Sequence, residues 1–242
     1  MPDPTPALAT TWSTEETLPD PLPADPFPTI RAWFDEAHAR ADQPNPNAMT
    51  IATADPSGTP HARIVLCKAL HEGPGFVVFY TNYNGPKGRQ LAANPRAAAI
   101  LHWDHTDRQI RLEGPIVKSP PDESDAYFRT RHWTSRVGAW ASEQSEPIAT
   151  RDDLIAKVGA AVDRLGLDLT QLMELDAGER TEIDIPRPPH WGGFRLWADT
   201  AELWCAGTGR VHDRARWTRE LSPNADGVSF DPGPWAATRL QP

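Results

Sequence analysis

Two cations bracket a short apolar run in the stretch ARIVLCKAL, residues 62–70. Arg63 and Lys68 stand at the two ends of Ile64–Cys67, a run with the composition of a buried strand. Because burying an unpaired cation is costly, the pattern predicts an anion at these strand ends. The two side chains differ in strand parity as well as in position, so they need not serve the same anion.

Lys87 is a third candidate for anion binding. It follows Pro86, which suits the first position of a helix. The free N–H groups and the positive dipole end of a helix N-terminus favour phosphate, and Lys87 would add a full charge. The alternative is an ordinary surface lysine.

Tyr127, Arg131 and Ser135 are spaced at i, i+4 and i+8. If one helix covers all three positions, a phenol, a guanidinium and a hydroxyl share one face and form a cradle for a phosphate or carboxylate. A solvated helix face explains these three residues slightly better when they are considered alone.

Arg210, His212 and Arg214 alternate along GRVHDRARW and are predicted to share one face of a strand. Three potential cations on one face repel one another unless an anion or an electron-rich ring lies among them. The alternative is an exposed, hydrated strand, but the nearby Trp204 and Trp217 indicate a partly buried sheet. Taken together, the four sets of cations predict at least two bound anionic groups.

Hydrophobic periodicity predicts the elements that position these residues. A helix begins near residue 25, with Ile30, Trp33, Phe34 and Ala37 at helical spacing. Strands AMTIATA and HARIVLCKA flank the turn DPSG, and GFVVFYTN, RAAAILHWD and RQIRLEGPIVKS continue the series. Further helices are predicted over 86–94, from about 119–122 and over 150–165, before a closing set of strands. Consecutive strands with helices at the margins indicate an α+β protein, an antiparallel barrel or sandwich.

Composition excludes several classes of function. The chain has 242 residues and a formal net charge of -9, which argues against non-specific binding to nucleic acid or acidic membranes. No apolar run approaches the roughly 20 residues of a membrane-spanning helix. Two distant cysteines and the lack of a basic leader before Arg31 predict a cytoplasmic protein with reduced thiols. Proline-rich residues 1–24 are predicted to form a flexible arm, and residues 25–242 one domain.

Common catalytic signatures are absent from the sequence. There is no dinucleotide-binding glycine motif, P-loop, zincin motif or nucleophile elbow. The segment HWDH, residues 102–105, has two imidazoles and a carboxylate, but a strand end turning into a hairpin is the preferred interpretation. No metal site is therefore predicted.

Longer motifs resemble a known family. NAMTIATAD, ARIVLCK, FYTNYNGPKGRQLAANPRAA, RQIRLEG, ESDAYFRTR, SRVGAWASEQSEPI, PRPPHWGGFRL, GRVHDR and the terminal TRLQP are similar, in order, to segments of the pyridoxine/pyridoxamine 5'-phosphate oxidases. The resemblance runs from about Asp25 to the C-terminus. It implies an antiparallel split β-barrel with peripheral helices, a homodimer, and FMN bound at the dimer interface.

The resemblance also implies roles for individual residues. FMN would contact one set within a subunit: Arg63, Ile64, Val65, Leu66, Cys67, Lys68, Tyr80, Thr81, Lys87 and Gln109. Across the dimer it would meet Gln144, Ser145, Trp204 and Arg214. The substrate phosphate would be held by Lys68, Tyr127, Arg131 and Ser135, while Arg210 and His212 would flank the pyridine ring.

The implied reaction is oxidation of pyridoxine or pyridoxamine 5'-phosphate to pyridoxal 5'-phosphate, with hydride transfer from C4' to the flavin. O2 reoxidises the flavin and leaves H2O2. We expect Arg210 and His212, the candidate catalytic residues, to act in positioning and electrostatics. Two alternatives stay open: a paralogous FMN oxidase of a ring-containing natural product, as in phenazine biosynthesis, and a non-catalytic flavin- or pyridoxal-phosphate-binding module.

Three departures from the family pattern matter. Pro86 stands where the family usually has Arg, which predicts weaker FMN binding. The N-terminal arm lacks the arginine and tyrosine that close over the substrate, with Trp12 as a substitute apolar lid. Cys205 replaces a glutamine beside Trp204.

Overall fold

The computed structural model describes residues 11–12, 17–174 and 183–242. Parts of the predicted arm, residues 1–10 and 13–16, and residues 175–182 lie outside the described residues. The helices are α1 (Phe27–Arg40), α2 (Pro86–Ala93), α3 (Pro121–Thr130), α4 (Trp133–Ala141), α5 (Arg151–Arg164) and α6 (Leu169–Glu174).

The strands lie mainly in two blocks of the chain. The first block holds β1 (Ala48–Ala54), β2 (Pro60–Leu66), β3 (Ala69–His71), β4 (Phe76–Asn82), β5 (Arg96–Trp103) and β6 (Arg108–Lys118). The second holds β7 (Trp191–Trp197), β8 (Thr200–Cys205), β9 (Asp213–Thr218), β10 (Leu221–Pro223), β11 (Phe230–Pro232) and β12 (Ala236–Leu240).

The main sheet is antiparallel and has the order β12-β9-β8-β6-β5-β1-β2. Strand β6 joins two halves of a barrel: its residues up to Glu113 pair with β8, and Ile116–Lys118 pair with β7. Strand β7 pairs in turn with β4, which pairs with β3. The expected α+β split barrel is confirmed.

The barrel is filled from both walls and closed by α1. Phe27, Ile30, Trp33, Phe34 and Ala37 are all buried, as the helical spacing predicts. They pack with the alternating inward residues of the strands, such as Met49 and Ile51 of β1 and Ile110 and Leu112 of β6. Burial of these apolar side chains, at about 25 cal/mol per Å², is the main source of the barrel's stability.

A second apolar cluster lies outside the barrel. It is built from α3, α4 and α5 around Trp191 at the start of β7, and includes Phe128, Val137 and Val162. This cluster fixes α3, α4 and α5 against the start of β7.

Several local predictions are confirmed. The turn at residues 55–58 closes with a hydrogen bond from Gly58 N–H to the Asp55 carbonyl, 2.9 Å. Helix α2 has Pro86 at its start and ends before Asn94. No helix among the described residues is long and apolar enough to span a bilayer.

One prediction about β2 is wrong. The run Ile64–Cys67 is not a buried strand, because β2 is an edge strand with β1 as its partner. Ile64 is 71% exposed, and only Cys67, just beyond the strand, is buried within the run. The apolar composition therefore belongs to an open surface of the single chain.

Residues 17–24 lie against the barrel. Leu18 is buried, and its N–H donates to Asp213 Oδ2 at 2.8 Å. Trp217 Nε1–H donates to the Pro23 carbonyl at 2.8 Å. The division at residue 24 into arm and domain stays a prediction.

Candidate functional site

A cleft of about 530 Å³ opens between the exposed edge of β2, the N-terminus of α2 and the α3–α4 turn. Eleven of the predicted site residues line it: Ile64, Val65, Leu66, Lys68, Tyr80, Thr81, Lys87, Tyr127, Arg131, Ser135 and Gln144. His132 and Trp191 complete the lining. Predicted residues that are up to 80 positions apart in the sequence thus lie around one cleft.

Lys87 lies at one end of the cleft, in the first turn of α2. Its ammonium group donates to Thr81 Oγ1 at 3.0 Å and to Gln144 Oε1 at 2.5 Å. Gly85, the N-cap, allows this approach, because a Cβ there would lie 2.9 Å from Gln144 Oε1. The helix start, the lysine and the glutamine therefore form one polar corner.

Arg63 supports the same end from the adjoining strand. Its guanidinium donates to Thr53 Oγ1 at 2.6 Å and to Gln90 Oε1 at 3.0 Å, and Thr53 donates to that same Gln90 oxygen. Burial and the Arg63 charge lower the pKa of Lys87, and burial lowers the pKa of Arg63. Two cations are thus held close together by neutral oxygens only.

Aromatic rings form the wall beyond this corner. Tyr80 stacks on Tyr127 with centroids 4.0 Å apart and planes 15° apart, and on Trp191 at 5.5 Å and 9°. Lys68 Nζ lies 6.0 Å from the Tyr127 ring centroid. Near-parallel rings beside cations suit a flat ligand that carries negative charge.

Arg131 is the most unusual cation in the cleft. Its guanidinium lies 4.6 Å from the Trp191 ring centroid and 5.5 Å from that of Phe128. Its Nη1 is buried without a hydrogen-bond partner, and burial lowers the pKa of the guanidinium. A buried donor left unpaired costs about 1–3 kcal/mol, so the site is prepared for an acceptor.

The cleft has an excess of positive charge. Arg63, Lys68, Lys87 and Arg131 make no ion pair with any carboxylate in the part of the chain that the structure describes. An anionic ligand would therefore offset the desolvation of the partly buried Lys87 and Arg131.

The condition that one helix covers Tyr127, Arg131 and Ser135 is not met. Helix α3 ends at Thr130, Arg131 is extended with φ -76° and ψ 145°, and α4 begins at Trp133. The three side chains nevertheless line one cleft, because the turn folds α4 back towards it.

A second set of predicted residues forms a row across three strands. Gln109 on β6 lies opposite Trp204 on β8, and Trp204 lies opposite Arg214 on β9. Glu202, 3% exposed, accepts from Arg214 Nε at 3.2 Å and Nη2 at 2.7 Å. Arg214 Nη1 donates to the Gln241 carbonyl at 3.1 Å, so this guanidinium is fixed from both sides.

Arg210 and His212 lie in a turn rather than on a strand, which corrects the predicted alternating face. Arg210 ends a short 3₁₀ turn with φ 66°, and β9 begins only at Asp213. His212 Nδ1 accepts from the Gly207 N–H at 3.1 Å, and its ring lies 4.7 Å from the Trp204 ring. These residues adjoin the Trp204 row and are not part of the cleft lining of the same chain.

Family comparisons agree with this arrangement. Residues 35–161 match the family model described as pyridoxamine 5'-phosphate oxidase. Residues 191–242 match the pyridoxine 5'-phosphate oxidase C-terminal dimerisation region. The chain belongs to this family.

Individual relatives of the oxidase family cover nearly the whole chain. The pyridoxine/pyridoxamine 5'-phosphate oxidase of Burkholderia multivorans is 44% identical over 90% of this chain and 89% of its own length. That of Microcystis aeruginosa is 42% identical over 96% and 95%. The chain is accordingly an FMN-dependent oxidoreductase with a dimerisation region.

Solved structures show the same fold. PhzG from Burkholderia lata 383, in complex with tetrahydrophenazine-1-carboxylic acid, superposes with a TM-score of 0.76. The two sequences are 26% identical, and the superposition covers 95% of this chain and 100% of PhzG. An FMN-binding, pyridoxamine 5'-phosphate oxidase-related protein from Nostoc punctiforme superposes with a TM-score of 0.60 over 89% of this chain and 96% of its own length. At 14% sequence identity, this likeness supports the fold alone.

The residues of this oxidase fit its cofactor. FMN carries a phosphate and a flat ring, and the cleft offers unpaired cations beside stacked aromatic rings. Within the described ranges, no group of three or more histidines, cysteines and acidic residues could hold a metal ion.

Three of the predicted FMN contacts differ in detail. Gln144, expected from across the dimer, lines the cleft of its own chain through the bond to Lys87. Cys67 is buried and is not part of the cleft lining, and burial raises the pKa of its thiol to about 12. Ser145 is exposed with φ 70° and lies beside the cleft rather than in its lining.

Sequence reasoning missed two lining residues. Trp191 starts β7 within HWGGFRL, a quoted family motif, and a lone aromatic among ten tryptophans gave no signal of its own. His132, a single histidine between Arg131 and Trp133, gave no signal of its own in the sequence.

Proposed function

We propose that this oxidase converts pyridoxine or pyridoxamine 5'-phosphate to pyridoxal 5'-phosphate. The observation that carries the proposal is the unpartnered, buried Nη1 of Arg131 in a cleft shared with Lys68, Tyr127 and Ser135. A phosphate monoester supplies the several acceptor oxygens that this set of donors lacks.

The FMN phosphate belongs at the Lys87 end of the cleft. Arg63 and Lys87 supply the charge, while Thr81 and Gln144 hold the lysine in place. The backbone of residues 64–68 and Tyr80 would line the flavin, with Ser145 beside it. Bound FMN supplies two-electron oxidation of the donor, with O2 as the final acceptor and H2O2 as product.

The substrate phosphate belongs at the other end. Lys68 and Arg131 provide charge, and the Tyr127 and Ser135 hydroxyls provide further donors. Two separate cation pairs, Arg63 with Lys87 and Lys68 with Arg131, match two phosphates on two molecules. Their spacing in one cleft would orient the donor beside the flavin.

His212 and Arg210 serve as positioning groups for the donor ring. Because His212 Nδ1 accepts the Gly207 N–H, the neutral imidazole carries its proton on Nε2. His212 therefore donates a hydrogen bond to the donor and does not offer a free basic nitrogen. Arg210 adds positive charge beside the ring.

The second row of residues completes the site in a homodimer. Gln109, Trp204 and Arg214 lie outside the cleft lining of their own chain, on the sheet that includes the matched dimerisation region. We place FMN at the interface, with this row of one subunit closing the cleft of the other. O2 reaches the flavin in that assembly.

A second candidate substrate is a reduced ring system without phosphate. The observation that favours it is the structural likeness to PhzG bound to tetrahydrophenazine-1-carboxylic acid. Arg131 would then pair with a carboxylate. The four-residue donor set and the 42–44% identical relatives favour the phosphate ester.

The test is peroxide release by FMN-saturated protein with matched donors. We expect turnover with pyridoxine and pyridoxamine 5'-phosphates and at least about 100-fold lower kcat/KM with unphosphorylated pyridoxine, as loss of about 3 kcal/mol of phosphate binding requires. Anaerobic bleaching of the yellow flavin, restored by air, confirms oxidation. Bleaching only by a dihydrophenazine carboxylate would replace the proposal by its alternative, and no bleaching by either donor would indicate a non-catalytic binder.

A further inference from the structure

His132 lies in the two-residue turn between α3 and α4, directly after Arg131 and three residues before Ser135. Its side chain is exposed and forms part of the cleft lining together with these two residues. It is a fifth polar side chain at the end of the cleft assigned above to the substrate phosphate, after Lys68, Tyr127, Arg131 and Ser135.

Hydrogen bonding determines which ring nitrogen of His132 is available. Nδ1 accepts from the Thr134 backbone N–H at 3.4 Å, which caps α4, and lies 2.8 Å from the Thr134 hydroxyl. A backbone N–H can only donate, so Nδ1 carries no proton in this arrangement. The neutral ring therefore has its proton on Nε2, which makes no hydrogen bond within the residues described.

We propose that His132 is a further phosphate-binding and specificity-determining residue, whose Nε2–H donates to the substrate phosphate. This inference rests on the proposed function, because it takes the Arg131 end of the cleft as the site of the substrate phosphate. Nε2 is a donor in the neutral and in the protonated ring, so binding does not depend on a charged imidazole.

The surroundings favour an anion at this position. The Arg131 guanidinium and the Lys68 ammonium line the same end, and the N-terminus of the nine-residue α4 adds the positive end of its dipole. The nearest ring to the imidazole is Trp133, 5.8 Å between centroids. Among the residues that line the cleft there is no carboxylate to compete for Nε2.

Capping of α4 is the competing explanation for His132, and a matched pair of variants separates the two. Asn and Asp both supply a side-chain oxygen that caps a helix N-terminus well. His132→Asn and His132→Asp therefore keep the cap and differ by one negative charge. If His132 only caps, His132→Asn binds phosphate like the wild type, whereas the charge of His132→Asp reports whether the phosphate lies at this end of the cleft.

Two measurements test the inference on FMN-saturated protein. Titration calorimetry gives the Kd of inorganic phosphate, and peroxide release gives KM and kcat for pyridoxamine 5'-phosphate. We expect His132→Asn to weaken phosphate binding about fivefold and His132→Asp by more than about 20-fold. KM should rise in parallel while kcat changes less than about twofold, with thermal unfolding of the two variants alike.

Each outcome decides between the claims. Equal phosphate affinity in the wild type and His132→Asn, or no phosphate binding by the wild type, overturns the role of His132 whatever the turnover. Weakened phosphate binding in the variants without turnover of either B6 phosphate supports His132 and overturns the proposed substrate. Turnover of the B6 phosphates with unchanged KM in both variants supports the proposed substrate and overturns the role of His132.

Discussion

Replacing Arg131 by Met should separate ligand binding from stability. In the free protein, the buried unpaired Nη1 costs about 1–3 kcal/mol. The cation–π contact of the guanidinium with the Trp191 ring, 4.6 Å from its centroid, stabilises the folded protein by about 0.5–2 kcal/mol. The variant's free energy of unfolding should therefore lie between a loss of about 1 and a gain of about 2.5 kcal/mol, because methionine fills the same apolar space.

Binding should change far more than stability. A guanidinium bound to a phosphate contributes about 2–3 kcal/mol through charge-assisted hydrogen bonds, so KM for pyridoxamine 5'-phosphate should rise about 30- to 140-fold. Since Arg131 contacts the phosphate and not the reacting carbon, kcat should fall less than about threefold. Peroxide release gives both constants, and urea unfolding of FMN-saturated protein gives stability.

The matched control is Arg129→Met, an exposed arginine in the last turn of α3 and outside the cleft lining. It should leave KM unchanged. The reasoning is refuted if Arg131→Met leaves KM within twofold of the wild type, or if it costs more than about 3 kcal/mol of stability, since Arg131 would then be a structural residue.

Three further predictions follow from the charges around the site. Pro86→Arg should tighten FMN binding about three- to tenfold by one added charge-assisted bond, and an unchanged or weaker Kd in a flavin-fluorescence titration would count against it. Because the pKa of Lys87 is lowered in the folded protein, its ammonium group loses its proton below the ordinary pKa of 10.5. FMN affinity should therefore fall as pH rises towards 10.5. The free protein should gain stability over the same range, because the unfolded chain holds this proton to higher pH. Affinity that stays flat up to pH 10.5 would place Lys87 outside the phosphate site. Glu202 forms ion pairs with Arg111 and Arg214. Glu202→Gln leaves both arginines facing a neutral amide and should lower the free energy of unfolding in urea by about 3 kcal/mol. The exposed Glu220→Gln is its control, and equal effects in the two would show that Glu202 does not hold those arginines.

Periodicity and turn chemistry were sufficient to predict most of the fold. The α1 face with Ile30 and Trp33, the DPSG turn and the proline at the start of α2 are local signals, and local interactions decide them. The errors involve tertiary structure. Nothing in ESDAYFRTRHWTS announces that Arg131 leaves the helix, because its extended conformation lets α4 pack against α5 and Trp191.

The candidate site was predicted unevenly for the same reason. Residue types and the family resemblance brought eleven residues to one cleft, since motif positions carry over with the fold. The prediction that Arg210 and His212 share a strand face with Arg214 is wrong, because Gly209 at φ 64° turns the chain before β9 begins. The pairing of Arg214 with buried Glu202 joins residues of neighbouring strands, which a single sequence does not reveal.

In the proposed dimer, the open edge of β2 couples FMN binding to the association of the two subunits. Ile64 is 71% exposed on a strand with one neighbour, and that strand is also a wall of the cofactor cleft. In the proposed dimer, a second copy covers this edge and also closes the cleft, so each event favours the other by mass action. Dilution should therefore release flavin, and flavin should hold dilute subunits together.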